Sequence, residues 1–138
     1  MPFVVDASVV GSWLLPDEQH PEAVTALDRL KDDEAFAPSL LWFELGNLLL
    51  ANERRQRITP TQTATALRLV QELPLWLDSQ ADSDTTLQLA RAHGLTVYDA
   101  VYLELALRRY LPLVTFDAPL AQAARRANVV QMRESLLD

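Results

Sequence analysis

Four acidic side chains in the sequence could together bind a metal ion. They are Asp6, Glu44, Asp99 and Asp117. If they converge, two carboxylates about 4 Å apart repel each other by roughly 4 kcal/mol at an effective dielectric constant near 20, so that some members must be protonated or a cation must bind. Ligation by oxygen alone, without Cys or His, selects a hard cation such as Mg²⁺ or Mn²⁺. Such a site keeps positions open for phosphate oxygens, and it predicts metal-assisted hydrolysis of phosphodiester bonds.

Three short polar residues accompany these acids. Ser8, Asn47 and Thr115 each lie within three residues of one of them. Their hydroxyl and amide groups could orient ligands or waters around an ion. Asn47 follows Glu44 by three residues, which places both on the same face of a predicted helix.

Helix capping is the alternative explanation for three of the four acids. Asp6, Asp99 and Asp117 each precede a predicted helix, and Asp is a preferred N-cap residue. Ser, Thr or Asn would cap as well, so capping does not explain why all three are Asp. Glu44 lies in a stretch that is apolar nearly all round, which predicts a buried helix in which an isolated charge would be costly. The alternative for Glu44 is that it faces solvent at a gap in that apolar surface.

The elements that must position these residues are short apolar strands alternating with helices. The predicted strands cover 3–5, 35–37, 75–77, 113–115 and 128–130. The predicted helices cover about 8–15, 21–31, 38–57, 59–73, 82–93, 99–110 and 119–127. This alternation indicates an α/β fold with a short, mainly parallel sheet between helices. Sites in such sheets form beyond the carboxyl ends of the strands, where Asp6 and Asp117 are expected.

Composition limits the classes of protein that fit. A chain of 138 residues suits one domain, and we expect residues 1–138 to form it. The absence of Cys excludes disulfides and thiolate zinc sites. No apolar run reaches the roughly 18 residues of a membrane span, and the first residues do not resemble a signal peptide. We therefore expect a cytoplasmic protein, and the net charge of −7 opposes nonspecific coating of nucleic acid.

Four segments of the chain resemble the PIN-domain ribonucleases. They are Val4–Ser8, Glu44 with Asn47, Thr96–Ala106 and Leu113–Asp117. The most specific part is the tyrosine–aspartate–alanine–x–tyrosine–leucine stretch that begins at Tyr98. Together and in this order, the segments span the whole chain, and more narrowly they are similar to the VapC-type toxins of bacterial toxin–antitoxin pairs.

The resemblance implies a PIN-like three-layer sandwich and a Mg²⁺- or Mn²⁺-dependent endoribonuclease that cuts structured RNA of the tRNA or rRNA class. By position, the four acids of the family match Asp6, Glu44, Asp99 and Asp117. Its supporting polar positions match Ser8, Asn47 and Thr115. The resemblance also implies a homodimer and a cognate antitoxin that blocks the active site. Many relatives carry a basic residue shortly after the last acid, where this chain has Ala118 and Pro119.

Basic charge is carried almost entirely by arginine, which supplies all of the basic residues except Lys31. Candidate RNA contacts are the clustered Arg54, Arg55 and Arg57. The pairs Arg108–Arg109 and Arg125–Arg126 also lie near the ends of predicted helices. Guanidinium groups at these places could clamp phosphates. The alternative is a favourable interaction with helix C-terminal dipoles on solvated faces.

The apolar residues before the second predicted helix have two interpretations. With the helix 21–31, they either line a groove for a partner peptide or pack into the core. These residues are Trp13, Leu14 and Leu15.

The alternative to an enzyme is a catalytically silent PIN-fold module that acts through protein partners. The presence of all four acids favours the nuclease. An aspartyl phosphatase is disfavoured because Ser8 occupies the place of its second Asp.

Overall fold

The computed structural model describes residues 1–15 and 20–131. The strands are β1 Phe3–Val5, β2 Ala35–Pro38, β3 Leu75–Asp78 and β4 Leu113–Val114. The helices are α1 Ala7–Leu14, α2 Pro21–Arg29, α3 Leu40–Arg54, α4 Pro60–Glu72, α5 Ser83–His93, α6 Val97–Arg109 and α7 Ala118–Arg126. The strands form one parallel sheet in the order β3-β2-β1-β4, which confirms the predicted α/β sandwich.

The register of the sheet brings the carboxyl ends of β1 and β4 together. Val5 pairs with Val114, so the residues that follow these two strands are neighbours. The three side chains of β1 are fully buried because helices cover both faces of this central strand. The site residues after β1 and β4 are thus carried by the most deeply buried part of the sheet.

Helix α6 is the most deeply embedded helix among the described elements. Five of its apolar side chains are buried in the main core: Ala100, Tyr102, Leu103, Leu105 and Ala106. Packing against α5, α7 and the strands β1 and β2 holds this helix in place. Any catalytic side chain on α6 therefore has a fixed backbone.

Local sequence signals explain several helix ends. Thr59 and Gln62 form a capping box at the start of α4, with Pro60 in the first helical position, as the sequence predicts. Gly94 ends α5 with φ +64°, a left-handed conformation that costs glycine little. Asp82, predicted as the first residue of α5, is instead its N-cap.

The start of α6 and the last predicted strand differ from the structure. Helix α6 begins at Val97 rather than Asp99, because Thr96 is the N-cap and its side chain accepts a hydrogen bond from the Asp99 N–H. The strand predicted at 128–130 is wrong: Asn128 has φ +61°, and what remains is an isolated bridge between Leu113 and Gln131.

The prediction that the stretch 40–50 is buried nearly all round is also wrong. Leu41, Leu45 and Leu49 face the core, whereas Trp42 and Phe43 are 54% and 62% exposed. Glu44 is thus on a helix with one buried side. None of the helices in the described ranges is long and apolar enough to cross a membrane.

The residues around Trp13 favour core packing over a groove. Trp13 and Leu14 pack against the main core, and Leu15 is buried in a smaller apolar cluster. The Trp13 Nε1–H donates a 2.7 Å hydrogen bond to the Ala23 carbonyl oxygen. This bond fixes α1 against α2.

Candidate active site

Asp6 is the most buried of the four acids, and its carboxylate is held from both sides. It caps α1, where Oδ1 accepts the Val9 N–H at 3.3 Å. Oδ1 also accepts the Ser8 hydroxyl at 2.6 Å, and Oδ2 accepts the Thr115 hydroxyl. Capping and site chemistry are therefore combined in one residue, rather than being alternatives.

Ser8 and Thr115 link the loop after β4 to Asp6 through their hydroxyl groups. The Phe116 N–H donates to Ser8 Oγ at 3.0 Å, and the Asp117 N–H donates to Thr115 Oγ1 at 3.0 Å. Since each hydroxyl accepts from the backbone and donates to Asp6, both are directed towards an ionised carboxylate. The two predicted supporting residues thus join the ends of β1 and β4.

Burial opposes that ionised form. Desolvation raises the pKa of Asp6, and the negative charge of Asp117 raises it further, while the hydrogen bonds from Ser8 and Thr115 act in the opposite direction. A cation near Asp6 would stabilise its carboxylate and so lower the cost of keeping it ionised in the folded state.

Glu44 reaches the same region from α3. It is half-buried, and its Oε1 accepts a 2.6 Å hydrogen bond from the hydroxyl of Tyr102 on α6. Burial raises the pKa of Glu44, and the charges of Asp6 and Asp99 add to that rise. The Glu44 carboxylate is therefore within electrostatic reach of two other acids.

Asp117 and Asp99 complete the group. Asp117 caps α7, with Oδ2 accepting the Leu120 N–H at 2.9 Å. Asp99 lies in the first turn of α6, and burial followed by the charge of Asp117 raises its pKa. The charge of Asp117 thus raises the pKa values of Asp6 and Asp99, and the charges of Asp6 and Asp99 raise that of Glu44, as in a cluster of like charges without a counterion.

The donor set fits a hard, hydrated cation. Within residues 1–15 and 20–131, no three acidic or histidine side chains are close enough to enclose one ion as they stand. Mg²⁺ does not require such an enclosure, because it keeps several waters and uses one or two carboxylates directly. The oxygen-only donors and their mutual repulsion therefore fit Mg²⁺ or Mn²⁺ held partly through water.

The remaining predicted residues are exposed side chains without a hydrogen bond to this cluster in the described part of the chain. Asn47 is exposed on α3, and no hydrogen bond in the described part of the chain joins it to the acids. Arg54, Arg55 and Arg57 are exposed around the end of α3. Ten helical residues separate Glu44 from Arg54, which corresponds to about 15 Å along the helix.

Arg108 and Arg109 are already engaged by acids of the chain itself. Both guanidinium groups donate to Asp78, at 2.8 and 2.9 Å, and Arg108 also donates to Glu104 at 2.7 Å. Asp78 and Glu104 are buried. These contacts oppose the interpretation of Arg108–Arg109 as a phosphate clamp and indicate a structural role.

Tyr102 is the site residue to which the sequence assigned no role. It belongs to the stretch that resembles the PIN-domain ribonucleases, yet its contact with Glu44 joins residues 58 positions apart. The sequence does contain a signal for a role of Tyr102 in the site, because Tyr102 follows Asp99 by three residues and so lies on the same face of the helix.

Comparison with known protein families identifies the chain. The family model of the PIN domain matches residues 3–126. The chain belongs to the PIN-domain family.

Two curated relatives of this PIN domain are named VapC ribonucleases. Ribonuclease VapC3 of Pyrobaculum aerophilum is 31% identical over 125 residues, covering 88% of this chain and 94% of the relative. Ribonuclease VapC1 of Mycobacterium tuberculosis is 33% identical over 125 residues, covering 87% and 89%. The family resemblance proposed from the sequence is therefore confirmed.

Solved structures show the same fold. PAE2754 from Pyrobaculum aerophilum has a TM-score of 0.72 at 24% identity, covering 99% of this chain and 96% of its own. VapC20 of Mycobacterium tuberculosis, described as a sarcin–ricin loop cleaving toxin, has a TM-score of 0.63 at 14% identity, with coverage of 95% and 98%. VapBC2 from Rickettsia felis, bound to a promoter DNA fragment, has a TM-score of 0.65 at 13% identity, with coverage of 96% and 98%.

Proposed function

We propose that this PIN domain is a Mg²⁺- or Mn²⁺-dependent endoribonuclease that hydrolyses phosphodiester bonds in structured RNA. The observation that carries the proposal is the electrostatic interaction among four acids that follow β1, lie on α3 and α6, and follow β4. Both curated relatives are named ribonucleases, which supports the same class of activity. We also propose that residues 1–138 form one domain that acts in the cytoplasm.

Asp6, Glu44, Asp99 and Asp117 would hold the cation. When bound, a divalent cation supplies Lewis-acid chemistry, which makes water a better nucleophile and offsets phosphate charge. Asp6 is the fixed member of the group, because three hydrogen bonds orient its carboxylate. The other three acids come from separate elements of the fold.

Glu44 and Asp99 have the electrostatic environment of proton-transfer groups. Burial moves the pKa of both towards neutral pH, where a carboxyl group exchanges protons more effectively. With Oε1 bonded to Tyr102, Glu44 has Oε2 available to accept a proton from an attacking water. The leaving oxygen needs a proton in return, which Asp99 would donate from its protonated form.

The charge distribution is compatible with selective binding of RNA. Without the four site acids, the balance is 12 basic against 15 acidic residues, or −3 instead of −7. The exposed Arg54, Arg55 and Arg57 would contact RNA phosphates at the far end of α3, where Arg54 lies about 15 Å from Glu44 along the helix. Such local contacts suit an enzyme that selects a tRNA or rRNA better than a protein that coats nucleic acid.

We further propose a cognate antitoxin as the inhibitory partner, and a homodimer as the state of the toxin. VapBC2, a structural neighbour, supports the antitoxin, and so do the exposed apolar side chains Trp42, Phe43, Trp76 and Leu77. Exposed aromatic groups of this kind are typical of protein contact surfaces. The alternative function is a catalytically silent module that acts through these partners alone.

Cleavage of a structured RNA tests the proposal. The wild-type chain is expected to cut in Mg²⁺ and to stop in EDTA. Asp6→Asn should fold because Asn caps nearly as well as Asp, and Asp99→Asn should fold because Thr96 remains the N-cap of α6. Both variants should lose cleavage. Asp28→Asn, at an exposed surface ion pair, is the matched control and should cut normally. Full activity of both site variants, or of the wild type in EDTA, would contradict the proposal, while partner binding without any cleavage would favour the silent module.

A further inference from the structure

Tyr102 presents a buried hydroxyl to the acid cluster. Its side chain is 1% exposed, in the middle of α6 and inside the main core. The hydroxyl donates a 2.6 Å hydrogen bond to Glu44 Oε1. A short bond to an ionised group is stronger than a neutral one, so this contact fixes one oxygen of the Glu44 carboxylate.

The same contact joins two of the elements that carry acids of the site. Tyr102 lies on α6 and Glu44 on α3. Asp99 precedes Tyr102 by three residues and so lies one turn away on the same helix. The hydrogen bond thus connects the segments that carry Glu44 and Asp99.

The contact fixes the direction of the hydroxyl proton. A phenol carries a single proton and an ionised carboxylate only accepts hydrogen bonds, so the proton points to Glu44. Tyr102 is therefore the donor and Glu44 the acceptor.

We propose that Tyr102 is a positioning residue that orients the Glu44 carboxylate for cation binding. The inference rests on the proposed function, since it assigns Glu44 to the cation. Tyr102 itself does not touch the ion. It holds Oε1 and so fixes the direction of the Glu44 carboxylate, and it links the position of Glu44 on α3 to that of Asp99 on α6.

Binding of Mn²⁺, followed by electron paramagnetic resonance, tests this role without RNA. Partners that orient a metal ligand typically contribute about 10- to 100-fold to metal affinity, so Tyr102→Phe should weaken Mn²⁺ binding by about 10-fold or more. In a Glu44→Ala background the same substitution should cause no further loss, because the group through which Tyr102 acts is gone. Tyr110→Phe, at a tyrosine that is 90% exposed at the other end of α6, is the control and should bind like the wild type.

A second measurement covers the case in which Tyr102→Phe does not fold. Tyr98 and Tyr110 are replaced by Phe, which leaves Tyr102 as the last of three tyrosines. Addition of Mg²⁺ should then change the tyrosine absorption spectrum, and Glu44→Ala should abolish that change. An unaltered spectrum would overturn the inference.

The outcomes separate this inference from the proposed function. If the wild type binds Mn²⁺ and Tyr102→Phe binds it equally well, the positioning role is wrong and the proposed function stands. An equal loss in the Glu44→Ala background would show that Tyr102 acts only through the scaffold, which also overturns the inference. If the wild type binds no Mn²⁺, the proposed function fails and the inference with it.

Discussion

Replacement of Asp78 by Asn should destabilise the fold, because it removes the buried negative charge that pairs with two arginines. The Asp78 carboxylate is 2% exposed and accepts four hydrogen bonds from the guanidinium groups of Arg108 and Arg109 and one from the Gln80 N–H. It ties the end of edge strand β3 to the end of α6. Arg109 also lies over the ring of Phe36, 4.3 Å from its centre.

The expected loss is about 2–3 kcal/mol. A hydrogen bond to a charged group contributes about 1.5–3 kcal/mol, and bonds that share one carboxylate are not additive. Arg108 and Arg109 remain partly exposed and can be rehydrated after the substitution, which keeps the loss below the 3–5 kcal/mol typical of a fully buried pair. For 138 residues, 2–3 kcal/mol corresponds to a fall of about 7–10 °C in Tm.

Acid should remove this contribution. Hydrogen bonds from Arg108, above all, hold the pKa of Asp78 well below its usual value. The unfolded chain then binds a proton that the folded chain does not, so the stabilisation is complete above about pH 4 and fades as the pH falls further. Urea unfolding at pH 7 and at pH 3, with Asp28→Asn as the surface control, measures both effects. A loss below about 0.5 kcal/mol at pH 7, or a loss that is the same at both pH values, would refute the reasoning.

Three further predictions concern backbone strain and RNA contacts. Gly94→Ala should cost about 1 kcal/mol because its φ of +64° disfavours a Cβ atom; an unchanged urea midpoint would contradict this. Gly46→Ala should stabilise by about 0.5–1 kcal/mol, since it lies within α3 with open space around the added Cβ; a loss of stability would be the contrary result. Replacement of Arg54, Arg55 and Arg57 by Ala should flatten the salt dependence of RNA binding by about one unit of slope per lost contact, and an unchanged slope would assign these residues to the solvated surface.

Much of the site could be predicted because its residues are tied to local signals. Asp6 and Asp117 follow apolar strands and cap the next helix, so the strand pattern and the cap preference both locate them. Ser8 and Thr115 lie within two residues of these acids, and the parallel register of β1 and β4 brings all four residues together.

Other features depend on contacts that the local sequence does not encode. Thr96 competes with Asp99 for the cap of α6, and the structure resolves that choice in favour of Thr96. Trp42 and Phe43 are apolar, like the residues of a buried helix face, yet both are exposed. Whether another element packs on such residues cannot be told from their type. The ion-pair group of Asp78, Glu104 and Arg108 joins residues up to 30 positions apart. Because the sequence does not show these partners, it indicates only an exposed cluster at the paired arginines.

Unfolding of the chain with and without Mg²⁺ tests most directly whether the four acids form one cation site. Binding to the folded state alone adds about 2.7 kcal/mol at a concentration 100 times Kd, or about 9 °C in Tm for a chain of this length. The wild type should show this rise. Asp99→Asn, which removes one of the mutually repelling charges, should be at least as stable as the wild type without metal and should lose most of the rise. An equal rise in both chains would contradict the account.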